Sequence, residues 1–192
     1  MTQAVGIIVL LSLVVMAGAL GYLHRYGGGD PVRDPISRYG TGSLRGWFTV
    51  QVLAAGVAAA GVAGLLVAHL GRAAAPASWL LVGFVATRVL IPFFPDTIPG
   101  SAPTPRNRVH LLLAVCSFAT VTAACFVAAG ALASSAESAL AVASYVCGAV
   151  MVLGEALMIL PRRPVGRFLG VGERILYVGY LAWFVIIAIA AL

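Results

Sequence analysis

Two ionisable side chains, Arg88 and Glu155, fall inside long apolar stretches of this 192-residue chain. Arg88 precedes Pro95 by seven positions, and Glu155 precedes Arg162 by seven. At the helical rise per residue, both sit roughly 10 Å inside the same boundary of the apolar region. A charge at the centre of a bilayer costs about 2.5–3.5 kcal/mol. Two opposite charges at one depth are therefore expected to pair, as a clamp between two helices or as the floor of a polar pocket. Three polar faces recur at helical spacing. One carries Ser144, Gly148, Met151 and Glu155. A second carries His110, Ala114 and Ser117, and in a third Arg174 and Tyr177 stand one turn apart. Convergence of these faces would line a half-polar cavity.

Further candidates lie where apolar runs end. The stretch "FFPDTIPGSAPTPRNRVH", residues 93–110, carries Asp96 and closes on His110 at the mouth of an apolar run. An imidazole there could act as a base, a ligand or a hydrogen-bonding interface residue. The stretch "RDPISRYG" holds Asp34 and Ser37. An aspartate before proline favours extended or turn geometry, and Ser37 is suited to begin a turn or cap a short helix. "GVGER" brings Glu173 and Arg174 to the start of the last apolar run, where a glutamate also suits the helix dipole.

The sequence contains no Walker loop, HExxH, GxSxG or dinucleotide fingerprint, so nothing specifies a reaction. Cys116, Cys125 and Cys147 lie inside apolar runs without CxxC spacing and read as packing residues. His69 falls at the opposite boundary from His110, and no metal site is expected. No cofactor is specified.

The elements that must hold these residues are set by composition. Hydrophobic residues make up 61% of the chain and charged residues 9%, against roughly 25% charged in ordinary soluble domains. Six apolar runs stand out, at Ala4–Leu23, Trp47–Leu70, Ser78–Phe94, Val109–Ala133, Leu140–Leu160 and Ile175–Leu192. Most approach the 20 residues a helix needs to span the hydrocarbon. They do not alternate apolar and polar as barrel strands do, and a spanning backbone in lipid must otherwise be helical. The expected fold class is therefore all-α. It is a polytopic membrane protein, a bundle of six transmembrane helices forming one domain over residues 1–192.

All twelve basic residues are arginine. Ten flank the loops after the first, third and fifth runs: Arg25, Arg33, Arg38, Arg45, Arg106, Arg108, Arg162, Arg163, Arg167 and Arg174. The other side offers Arg72. This asymmetry places those loops in the cytoplasm and both termini outside. The net charge of +6 belongs beside the spans, where it meets anionic lipid headgroups, and is no nucleic-acid footprint. No basic segment precedes the first run, which therefore reads as an uncleaved span. On the second run Gly56, Ala60 and Gly64 recur every four positions. That near-bare face favours close packing, against another helix of the chain or a second copy of it in a homo-oligomer.

"DPIS" after the first run, "FP" with an aspartate after the third, a histidine opening the fourth and "GERIL" opening the sixth together resemble domain-of-unknown-function family nine-nine-eight. Its members are archaeal and bacterial membrane proteins. The resemblance covers nearly the whole chain and implies six helices and no established activity; the expected location is a bacterial cytoplasmic membrane. It singles out Asp34, Pro35, Ser37, Phe94, Pro95, Asp96, His110, Glu173 and Arg174. The expected function is binding or moving a membrane lipid or small amphiphile in a cytoplasm-facing cavity. Two alternatives stay open. One is an intramembrane enzyme acting on a lipid headgroup through Asp34, Asp96 and His110. The other is a proton-coupled small-molecule transporter using Glu155.

Overall fold

The computed structural model describes residues 1–96, 102, 104–159 and 168–192. Arg162, Arg163 and Arg167, and part of the proline-rich loop, lie outside the described residues. Within them the regular structure is helical: α1 (Thr2–Tyr26), α2 (Arg45–Leu70), α3 (Ala75–Leu90), α4 (Pro105–Ser134), α5 (Ser138–Ile159) and α6 (Leu169–Ile189). Short 3-10 turns occupy Ile36–Thr41, Gly71–Ala74 and Ile91–Phe93.

Five helical stretches are long and apolar enough to cross a membrane. The second of them, Arg45–Phe93, is 49 residues long and contains both α2 and α3. The 16 residues of α3 reach about 24 Å, short of the roughly 30 Å of hydrocarbon. The six separate runs read from the sequence thus become five such stretches. The chain reverses between α2 and α3 at Gly71, whose φ of +57° lies in the left-handed region that costs other residues about 1–2 kcal/mol. From there α3 packs back along α2.

Two helix starts differ from the sequence expectation, and both differences move site residues. Thr104 caps α4 by accepting from the Asn107 amide at 3.2 Å, and Pro105 supplies the first helical position. His110 therefore sits inside the helix and does not open it. The last helix begins at Leu169 rather than near Ile175, which puts Glu173 one turn in. There it joins a stripe with Tyr177, Tyr180 and Phe184, all buried, at the spacing of one helical face.

Each helix packs on its sequence neighbours, α6 closes against α1, and α6 also touches α2 and α4. The core is centred on α6 and on the inward faces of α2 and α4. Backbones come closest between α5 and α6. A Cβ at Gly154 would lie 2.6 Å from the Gly172 carbonyl and 2.7 Å from the Leu176 nitrogen. The small-residue face of α2 is divided instead. Gly56 is buried and faces the Cβ of Arg88, while Ala60 and Gly64 are exposed.

Candidate functional site

Arg88 is 2% exposed, near the end of α3. Its Nη1 donates to the Tyr177 hydroxyl at 2.9 Å, and its Nη2 to the Tyr180 hydroxyl at 3.5 Å. Four rings surround the guanidinium carbon: Phe84 at 4.9 Å, Tyr177 at 5.1 Å, Phe118 at 5.6 Å and Tyr180 at 5.7 Å. A desolvated cation–π contact is worth about 2 kcal/mol, and a hydrogen bond to a charged group about 1.5–3 kcal/mol. Together they offset the cost of holding this cation among apolar helices.

The expected Arg88–Glu155 ion pair does not form: among the described residues no salt bridge joins the two. The ring order explains this. Helix α4 lies between α3 and α5, so Arg88 turns to α6 and Glu155 turns to α4. There Glu155 accepts from the Thr122 hydroxyl at 2.7 Å. The carboxylate in electrostatic range of Arg88 is that of Glu173. Glu173 is buried, and its Oε2 accepts from the backbone amide of Ile36 in the first loop.

Ser37, Arg88, His110, Glu173 and Tyr177 line one void of about 10 Å³, room for a single water at most. Five of the sequence candidates thus meet at one place. Asp96 joins them from the side. One of its oxygens accepts from the Ser37 hydroxyl and the other from the Asn107 amide, each at 2.8 Å. His110 Nδ1 lies 2.7 Å from the Phe94 carbonyl, so the imidazole fastens the end of the third apolar run to α4.

Asp34 and Arg174 lie to one side of this void. The Asp34 carboxylate pairs with Arg38 and accepts from the Asp30 amide. Arg174 is turned about 100° from Glu173 around the helix and meets the first loop, donating to the Asp34 carbonyl at 3.0 Å. Its Nε donates to His24 Nε2 at 2.8 Å. That leaves His24 Nδ1 to carry the ring proton and donate to the Leu20 carbonyl. Arg174 and Tyr177 stand one turn apart on α6, Tyr177 accepting from Arg88 and Arg174 reaching the first loop. Among the described residues no group of three or more His, Cys, Asp or Glu side chains could hold a metal.

Among the described residues several buried polar atoms lack a hydrogen-bond partner. They are Arg88 Nε, both amide atoms of Gln51, the Ser117 hydroxyl and Arg174 Nη2. Gln51 and Ser117 are each 0% exposed. Gln51 lies beside the Tyr177 hydroxyl without reaching hydrogen-bond geometry. Each orphaned polar group costs about 1–3 kcal/mol. Sequence reasoning missed Gln51, Tyr180, Phe84, Phe118 and Asn107. A signal existed for Gln51, the one side-chain amide in the run 47–70.

Among the described residues the void at the arginine-rich end is the small one lined by Arg88. The first loop and the 91–96 segment occupy the place where the mouth was expected. A larger, mainly aliphatic cavity of about 210 Å³ lies at the other end of the bundle, walled by Leu65, Leu66, His69, Leu132 and Ile187 among others. Both termini share that end, where Gln3 donates to the Leu192 carbonyl at 2.7 Å.

A family model described as a protein of unknown function (DUF998) matches residues 4–190, and the chain belongs to that family. No curated protein and no solved structure matches the chain.

Proposed function

We propose that this family member binds a lipid or another small amphiphile by its polar end at the Arg88 centre, and holds or moves it within the membrane. The observation that carries the reading is the set of buried polar atoms without partners among the described residues, Arg88 Nε, the Gln51 amide and the Ser117 hydroxyl. A bundle that needed only stability would lose nothing by filling these positions with apolar side chains. A ligand headgroup with acceptor oxygens supplies partners for Arg88 Nε, Gln51 Nε2 and the Ser117 hydroxyl, and a hydroxyl or amine on it would donate to Gln51 Oε1. The void of about 10 Å³ is smaller than such a headgroup, so binding requires the elements around Arg88 to part.

In this reading the chain is a six-span protein of a bacterial cytoplasmic membrane, with both termini outside. Support for six comes from α3 packing back along α2 after the Gly71 reversal. Support for orientation comes from the arginines of the first and third loops, all at one end of the bundle. The enzymatic alternative has less support, because the Asp34 carboxylate is engaged within its own loop and does not line the void that His110 lines.

The test is the lipid that co-purifies with the protein, extracted and quantified against protein. Arg88→Met and Gln51→Leu should each lower bound lipid at least threefold. Gln51→Leu is expected to keep the fold, since neither amide atom makes a hydrogen bond of good geometry among the described residues. Unchanged lipid in a folded Gln51→Leu protein would overturn the proposal.

A further inference from the structure

The 3-10 turn Ile36–Thr41 lies over the Arg88 centre, and two carboxylates from other parts of the chain hold it there. Glu173, on α6, accepts from the Ile36 amide. Asp96, beyond α3, accepts from the Ser37 hydroxyl at 2.8 Å. The two donors are neighbours in sequence, while the two acceptors are 77 positions apart (173 − 96). The Ile36 side chain is buried beneath the turn, and Gly40 packs on Phe48. Both Ser37 and Phe48 line the void together with Arg88.

The two flanks of the turn differ. On one side Arg174 fastens the Asp34 carbonyl and the Val171 amide donates to the Val32 carbonyl at 3.2 Å. On the other, Gly42 joins the turn to α2 in extended backbone. The segment 31–34 is thus fixed on the start of α6, and the turn beyond it is held by two side-chain hydrogen bonds together with buried Ile36 and the Tyr39 ring edge-on to His24.

We propose that residues 36–41 form a latched lid that regulates access to the Arg88 centre, with Glu173 and Asp96 as the latch. This rests on the reading of that centre as a binding site. With both bonds released, withdrawal of the Ile36 side chain lets the turn swing about Pro35 and Gly42, uncovering Arg88 and leaving two carboxylates at the rim. The carboxylates act through the lid and are positioning residues.

The lid is tested by the reactivity of a cysteine placed in the void. Ile91 is buried and lines it, so Ile91→Cys is the probe, in a Cys116→Ala background. Native Cys125 and Cys147, both buried between helices, stay as internal controls. A small maleimide is added to the full-length protein in nanodiscs, and each site is followed by mass spectrometry. Glu173→Gln exchanges a charge-assisted bond for a neutral one, and Ser37→Ala removes the other bond. Each change is worth about tenfold in the opening equilibrium.

Labelling of Ile91→Cys should therefore rise about tenfold in either variant, with Cys125 and Cys147 unreactive. Unchanged labelling in both variants would overturn the lid. So would an equal rise at Cys125 and Cys147, which would mean general loosening. Bound lipid measured in the same preparations reports on the binding reading separately. A lid that opens in a protein without lipid leaves the lid standing and removes the ligand.

Discussion

Removing the Tyr177 hydroxyl isolates the contact that decides how Arg88 is held. Tyr177→Phe keeps the ring 5.1 Å from the guanidinium carbon and deletes the acceptor 2.9 Å from Nη1. The cation–π attraction survives and one charge-assisted bond is lost. The donor left behind is buried, so the expected loss is about 1.5–3 kcal/mol of folding free energy. Tyr180→Phe removes a contact at 3.5 Å, the limit of a hydrogen bond, and should cost under about 1 kcal/mol. The assay is equilibrium unfolding in mixed micelles, run as a double-mutant cycle with Arg88→Met. In that background no donor remains to be stranded. Tyr177→Phe should then be nearly neutral, giving a coupling of about 1.5–3 kcal/mol. The parallel cycle of Arg88→Met with Glu155→Gln should give a coupling within about 0.5 kcal/mol, because Glu155 is bonded to Thr122. Equal cost of Tyr177→Phe in both backgrounds would refute the assignment of Tyr177 as the anchor of Arg88. A large Arg88–Glu155 coupling would restore the pair suggested by their equal depth.

Two further substitutions probe packing and the orphaned polar atoms. Gly154→Ala places a Cβ within 2.7 Å of α6 backbone and should destabilise by about 1–3 kcal/mol. Gly64→Ala meets no atom within 4 Å and should be neutral or slightly stabilising; circular dichroism melts in detergent compare the two. Gln51→Leu should raise the stability of lipid-free protein by about 1–3 kcal/mol, read by the same unfolding assay, while lowering the lipid retained. A destabilised Gln51→Leu protein would mean that the amide has a structural partner.

The helical, apolar nature of the chain was legible because it depends on composition and run length, which need no partner. Family membership was legible because short motifs such as "DPIS" and "GERIL" kept their order along the chain. The pairing of Arg88 was not. Depth in a helix follows from counting residues, but which neighbour a side chain faces depends on the ring order of the helices. Here α4 separates the two charges that depth would pair. The start of α6 was also misjudged. The apolar run is clearest from Ile175, yet the helix extends back through two glycines that tight packing needs: a Cβ at Gly170 would lie 2.5 Å from the Asp34 carbonyl and one at Gly172 would lie 2.7 Å from the Gly154 carbonyl. Starting the helix there brings both side chains to the first loop, Glu173 to the Ile36 amide and Arg174 to the Asp34 carbonyl. Gln51 was overlooked because one amide in a long apolar run carries no spacing pattern, although its burial without a partner is the strongest pointer to a ligand.

Native mass spectrometry of the intact protein, released from mild detergent, tests the binding reading most directly. The account predicts a discrete added mass in the range of a lipid or small amphiphile, retained by the unaltered chain and lost from Gln51→Leu. A folded protein that flies at its bare polypeptide mass, or an adduct that Gln51→Leu retains in full, would contradict it.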